Sequence, residues 1–277
     1  MSPFSEVALV TQREVRKSFR SAKGVALAVL SVLGGGAVSM LVAMVDRLRR
    51  ERLPAGIDLH EAQSQVFAGI YDRPNMGKAL ADCPYALWIM LQATLWLAPL
   101  LVALMTFDAV SGDLQRGTVR FWVVRARRTS CLLGKALGAW LAVLGVSLAM
   151  NVIVWVTAAA VGHQDPAYII GWGLRFFAVV VPVTAAWCAI AVLVGSQIKT
   201  PMLALMVIFA TFFGLWVLRI VAGFTHNPWL VWAYPNSYDA LLLSPDPADI
   251  SRGLLGTLLI SGLSVTVAAV MFDRRDV

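Results

Sequence analysis

Charge is scarce in this chain. Aspartate, glutamate, lysine and arginine make up 14% of its 277 residues, against roughly a quarter in an ordinary soluble domain. The deficit is clustered: several stretches of about 20 residues, the length that crosses a hydrocarbon core of about 30 Å, carry no charge at all. With 59% of residues hydrophobic, a soluble fold of this size has too little interior to hide them. A soluble enzyme, a disordered chain and a free DNA-binding domain are excluded. The composition predicts an all-α polytopic membrane protein.

Chemistry-bearing residues are also few. The three cysteines, Cys83, Cys131 and Cys188, fall near an outer surface, on the inner side and inside a span, so they read as apolar packing residues rather than a disulfide framework. His60, His163 and His226 sit in three different outer loops with no partner at metal-ligand spacing. No metal site and no catalytic residue is expected. Gly134-Lys135 lacks both the preceding glycine spacing and the following hydroxyl of a phosphate-binding loop. Any ATP hydrolysis therefore belongs to a separate polypeptide. No Asp, Glu, Lys or His falls in the middle of a predicted span, which removes the ion relay of a secondary carrier.

Six segments are long and apolar enough to cross a bilayer: Val25–Val45, Tyr85–Thr106, Ala136–Gly162, Tyr168–Val194, Pro201–Val221 and Gly253–Phe272. With the N-terminus inside, fourteen basic residues lie on the inner side and nine on the outer, while six acids lie inside and ten outside. The positive-inside bias gives an N-in, C-in topology. Residues 46–84 and 222–252 then form the outer segments, although the basic run Asp46–Arg52 runs against that bias. The second outer segment, with Trp229, Trp232, Tyr234, Pro235 and Tyr238, is too apolar for a free loop and too interrupted to span. It reads as short helices capping the exit side.

Two inner segments carry information. In residues 1–24, Phe4, Val7, Ala8, Thr11, Val15, Phe19 and Ala22 share one helical face. Gln12, Arg13, Arg16, Lys17, Arg20 and Lys23 cover the other, as in an interfacial helix over anionic headgroups. Residues 107–135 are far longer than a turn requires. Asp113 suits a helix start and Gly117 a break, with a second short helix from Thr118 onward. Phe121 and Trp122 beside Arg120 and Arg125 suit docking on another protein. The basic residues are dispersed over short loops, so no nucleic-acid partner is expected. Within the spans, Gln92, Thr94 and Asn151 could line a pathway or simply hydrogen-bond helix to helix. Pro99 and Pro182 predict kinks.

The amphipathic helix with Arg13-Glu14-Val15-Arg16, the run SGDLQRGT followed by LLGK, the segment YPNSYDALLL and the ending Phe272-Asp273-Arg274-Arg275 together resemble the permease subunit of type-2 ABC exporters. The resemblance covers essentially the whole chain. It implies a coupling loop at 107–135 seated in an ATP-binding subunit present in two copies, and a second permease subunit, identical or different. It also implies ATP and Mg on the partner, no cofactor on this chain, and a bacterial cytoplasmic membrane. Carried over by position, Asp113, Gly117 and Thr118 match the acidic-x-x-x-Gly-Thr core of the loop, Lys135 the Gly-Lys that opens span three and Glu14 the acid of the connecting helix; Asp113, Gly117, Thr118 and Glu14, together with Arg116, Arg120 and Phe121 of the loop, are the expected docking residues. Asp113 stands where the family more often has glutamate, and Arg125-Ala126-Arg127-Arg128 replaces an expected proline. The rival reading is a membrane anchor or assembly subunit that moves no cargo.

Overall fold

The computed structural model describes residues 3–52, 59–118, 127–162, 165–225 and 227–274. The described chain is helical, and six helices are long and apolar enough to cross a membrane, as the hydropathy pattern predicts. Helix α1 (Pro3–Arg20) bends at Ser21 into α2 (Ala22–Arg52). Next come α3 (Leu59–Tyr71), α4 (Pro74–Leu80), α5 (Tyr85–Thr106) and the short α6 (Ser111–Gln115). The long helices α7 (Arg128–Gly162), α8 (Pro166–Gln197) and α9 (Pro201–Thr225) follow. The chain then passes through α10 (Pro228–Val231), a 3₁₀ turn at Pro235–Tyr238 and α11 (Asp239–Leu242) before α12 (Pro247–Asp273). Spans one to six are α2, α5, α7, α8, α9 and α12.

Local chemistry sets the boundaries. Three helices begin with an Asx-Pro pair. Asp165, Asn227 and Asp246 each accept a hydrogen bond from the backbone N–H of the second residue of the following helix, and the first residue is proline, which has no N–H to leave unpaired. Helix α6 is closed by a Schellman cap. Gly117 adopts φ +67°, its N–H reaches the Leu114 carbonyl, and the Thr118 N–H reaches the Asp113 carbonyl. A residue with a Cβ would be strained there.

Several elements are longer than hydropathy indicates. Helix α7 begins at Arg128 rather than Ala136, so its 35 residues run about 52 Å. Helix α2 continues through Arg52, making the basic run after span one a helical extension rather than a loop. Hydropathy registers only the lipid-crossing part of a helix, whereas the hydrogen-bond ladder continues wherever the backbone permits. Further along the same segment, α3 and α4 form a hairpin that contributes Phe67, Met76 and Leu80 to the core.

The core lies between α5, α7 and α8, with Leu91, Leu95 and Val102 against Val143, Val146 and Met150, and Val180, Val183 and Trp187. In the most apolar window of α8, 61% of residues are buried, against 11% in α12, so α8 is the central post and α12 faces outward. Helices α5 and α8 continue past Pro99 and Pro182. Pro99 has no N–H to offer the carbonyl of Leu95 one turn earlier. The Asn236 Nδ2 supplies the missing donor at 2.9 Å, and its Oδ1 accepts from Trp187 Nε1 at 2.8 Å. The segment between spans five and six is therefore fastened halfway along α5, deeper than an interfacial cap.

Candidate functional site: a charged joint between α1, α6 and α7

At one end of the bundle three elements meet on a single ammonium group. Lys135, in the second turn of α7, has a side chain only 7% exposed. Its Nζ lies 2.5 Å from Asp113 Oδ2 on α6, 2.6 Å from the Ala109 carbonyl and 3.7 Å from Glu14 Oε2 on α1. Lys17 reaches the other Glu14 oxygen at 3.4 Å. Two cations thus face two carboxylates. Such a group tolerates burial only because each charge is balanced and hydrogen-bonded; an unmatched charge in the same place costs several kcal/mol.

Small residues let the elements come this close. Gly134 and Gly138 sit one turn apart on α7, and Gly145 follows two turns later. A Cβ at Gly134 would come within 2.6 Å of Val10, one at Gly138 within 2.7 Å of Glu14, and one at Gly145 within 2.9 Å of Phe19. The pairs Val10/Gly134 and Glu14/Gly138 advance in step, so α1 and the start of α7 run side by side in the same direction. Thr11 Oγ1 donates to the Gly134 carbonyl at 3.2 Å along the same seam.

The buried line of α1 is accordingly Val10, Glu14 and Ser18. It lies roughly a quarter turn away from the apolar face expected from periodicity, given about 100° per residue. Phe4 remains 87% exposed, and Phe19 is also exposed apart from its contact with Gly145. The helix thus has three faces: one on α7, one apolar and open, and one basic with Gln12, Arg13, Arg16 and Arg20. Periodicity separates apolar from polar residues but does not register a seam of small contacts containing a glutamate.

A second, smaller core supports the joint. Val110, Leu132, Ala136, Val192 and Phe272 pack together beneath it. Arg128 Nη1 donates to the Asp273 carbonyl at 3.0 Å, which ties the last span to the same place.

The structure divides the residues singled out from sequence into two groups. Asp113 and Glu14 turn inward onto Lys135. Gln115, Arg116 and Gly117 form the exposed tip of the α6 cap, and Thr118 is half-buried, its Oγ1 on the Asp113 carbonyl at 3.3 Å. Arg120, Phe121, Trp122 and Arg125 lie outside the described residues. Of the proposed pathway residues, Thr94 and Asn151 bond each other across α5 and α7 at 3.2 Å, with Asn151 also on the Ser147 carbonyl. They join helices. Gln92 instead belongs to a polar group at the far end, donating to Tyr71 Oη at 3.1 Å. Sequence reasoning marked Lys135 only as the residue that opens span three and left it out of the docking set. The signals were a lone charge in an apolar run, LLGKALGAW, and a Gly-x-x-x-Gly pattern around it.

Among the described residues the arrangement has no reactive pair or phosphate cradle; it binds elements mechanically, linking an exposed turn to a spanning helix. None of the curated proteins matches the chain. The family described as ABC-2 family transporter protein matches residues 8–277, nearly the whole length. The chain belongs to the ABC-2 transporter family and is a multi-pass permease component of an ABC transporter, in a family that works with an ATP-binding subunit.

Proposed function

We propose that this chain is the permease of an ATP-driven exporter in the bacterial cytoplasmic membrane. The α1 end faces the cytoplasm, and both termini lie on that side. Two permeases, identical or paired with a homologue, enclose the pathway, and two ATP-binding subunits carry ATP and Mg. This chain performs no catalysis. The exposed tip Gln115-Arg116-Gly117 and the segment around Arg120 and Phe121 dock on the ATP-binding subunit. Asp113 and Glu14 act one step behind, passing the displacement of the tip to α7 and α1 through Lys135. Nucleotide-driven closure of the ATP-binding pair then biases the permease between its two access states.

The observation that carries this reading is the joint itself. An exposed, sharply capped turn is connected by a 2.5 Å ion pair to the base of a core helix. A passive anchor has no need of such a connection. The test is copurification. Arg116→Glu reverses the charge at an exposed position, so the permease should still fold and insert but recover far less ATP-binding subunit. Full recovery of that subunit, with unchanged ATPase activity in the complex, would contradict the docking assignment and favour the anchor reading.

A further inference from the structure

Helix α1 has a strongly basic side that the joint does not use. It carries Arg13, Arg16, Lys17 and Arg20 against two acids, Glu6 and Glu14. Both acids are held by neighbours: Glu14 by Lys135 and Lys17, and Glu6 by the Arg127 N–H at 3.3 Å. Gln12, Arg13, Arg16 and Arg20 are exposed. On this side a groove of about 360 Å³ is lined, among the described residues, by Leu9, Val10, Gln12, Arg13 and Arg16. Such a volume is near the lower end of small-ligand sites, about 300–1,000 Å³. Val10 also meets Gly134 on α7, so the groove follows the edge of the seam.

The depth of α1 says what fills the groove. Glu14 lies against Gly138 and Phe19 against Gly145. These glycines are two and nine residues beyond Ala136, where the apolar run of span three begins. At about 1.5 Å per residue they lie about 3 and 14 Å along α7. Helix α1 then bends at Ser21 into span one, whose apolar stretch begins at Gly24. The C-terminal half of α1 is therefore level with the bilayer boundary. Its exposed residues are mixed accordingly: Leu9 interrupts the basic line at 51% exposure, and Phe4, Ala8 and Phe19 are open on the adjoining face. Arginine stems lie on apolar surface while the guanidinium stays at the headgroups. A phospholipid uses both kinds of surface at once, acyl chain on the apolar residues and phosphate on the arginines.

We propose that Gln12, Arg13 and Arg16 bind the phosphate headgroup of an acidic phospholipid, with Leu9 and Val10 beneath it. Two guanidinium groups offer paired N–H donors to phosphate oxygens, and the Gln12 amide adds a neutral donor. The negative headgroup matches the excess of basic residues on the helix, whereas a zwitterionic headgroup brings an ammonium that the arginines repel. Lys17 takes no part, since Glu14 holds its ammonium at 3.4 Å. The amphipathic pattern places headgroups anywhere along the basic face; the groove narrows them to two turns. The bound lipid holds α1 from one side while Glu14, on the side toward α7, reaches Lys135. Placing this lipid in the cytoplasmic leaflet rests on the exporter reading; the binding itself does not.

The test uses the full chain in neutral detergent, without an ATP-binding subunit, and native mass spectrometry to count bound lipid. The probes are dioleoylphosphatidylglycerol, dioleoylphosphatidylcholine and inorganic phosphate. Phosphatidylglycerol should bind saturably and outcompete phosphatidylcholine. Arg13→Gln with Arg16→Gln should weaken it by about 25-fold, about fivefold for each basic group lost, and leave phosphatidylcholine as it was. Lys78→Gln with Arg252→Gln removes the same charge from exposed positions elsewhere and should change neither. Excess inorganic phosphate should not displace the lipid; displacement would make this a free-phosphate site and overturn the lipid assignment. Should the arginine variant not fold, the native chain still decides. A diazirine-bearing phosphatidylglycerol should label residues 9–16, and its phosphatidylcholine analogue should not. Equal retention of the two lipids, equal labelling by them, or an equal loss in the control variant would overturn the proposal. If the arginine variant kept its phosphatidylglycerol but lost the ATP-binding subunit in copurification, the face would belong to that partner and the lipid assignment would fall. Because the lipid measurement uses the chain alone, its failure leaves the docking test at Arg116 untouched, and failure of docking leaves this one standing.

Discussion

At the α1 end, α1, α6 and α7 meet on one ammonium, Lys135, with carboxylates at 2.5 and 3.7 Å. Halfway along α5, that helix, α8 and the segment between spans five and six meet on one neutral amide, Asn236, with bonds of 2.8 and 2.9 Å. The two fastenings differ in how they respond to movement. Coulomb attraction falls as the inverse of distance, so an ion pair keeps much of its hold when an element slides by an ångström or two. A hydrogen bond to an amide is directional and is lost over a similar displacement. The charged joint therefore suits an end that must move while staying attached. The neutral bolt suits a place where a segment is held until it is released as a unit.

The comparison can be broken first where the charges are densest. Lys135→Ala would leave the Asp113 and Glu14 carboxylates inside protein without the ammonium they share, with Lys17 still beside Glu14. A loss of about 3–5 kcal/mol is expected, as for a buried pair deprived of one partner. Thermal unfolding of the detergent-solubilised chain would register it as a large fall in Tm. An unchanged Tm would mean that water already screens the joint.

The smaller expected effect belongs to the Asn236 fastening. Asn236→Ala orphans the Trp187 N–H and returns the Leu95 carbonyl to the unpaired state that Pro99 creates. About 2–4 kcal/mol follows from two buried polar groups left unsatisfied. The loss should be confined to the segment between spans five and six, seen as faster hydrogen exchange there while α7 keeps its protection. Uniform loss of protection along the chain would show that the segment is no separate unit.

The membrane architecture was legible because apolar runs report directly on lipid contact, and all six spans lie where hydropathy places them. Their extensions were not. Arg128–Lys135 and Asp46–Arg52 are helical because helices continue beyond the hydrocarbon, a fact that hydropathy does not carry. Within the site, the sequence marked Asp113, Gly117 and Glu14 but not their relation. Gly117 and Thr118 earn their place in the Schellman cap, which spacing alone describes only as a break. Asp113 and Glu14 share Lys135 although nearly a hundred residues separate them. Asn236 stayed hidden for the opposite reason: its neighbours in sequence look like a loop, and only its bond to Leu95 reveals its depth.

The claim that the joint carries motion is tested most directly by neutralising it without emptying it. Asp113→Asn, Glu14→Gln and Lys135→Met together keep the volumes while removing the charges, so the fold and the bound ATP-binding subunit should survive. A spin label at exposed Trp229 of each permease, in the assembled complex, reports the separation of the far ends by pulsed electron spin resonance. The native joint should give a distance change on trapping the hydrolysing state. The neutral triple variant, with its ATP-binding subunit still attached and turning over ATP, should give little or none. A distance change equal to the native one would contradict the account.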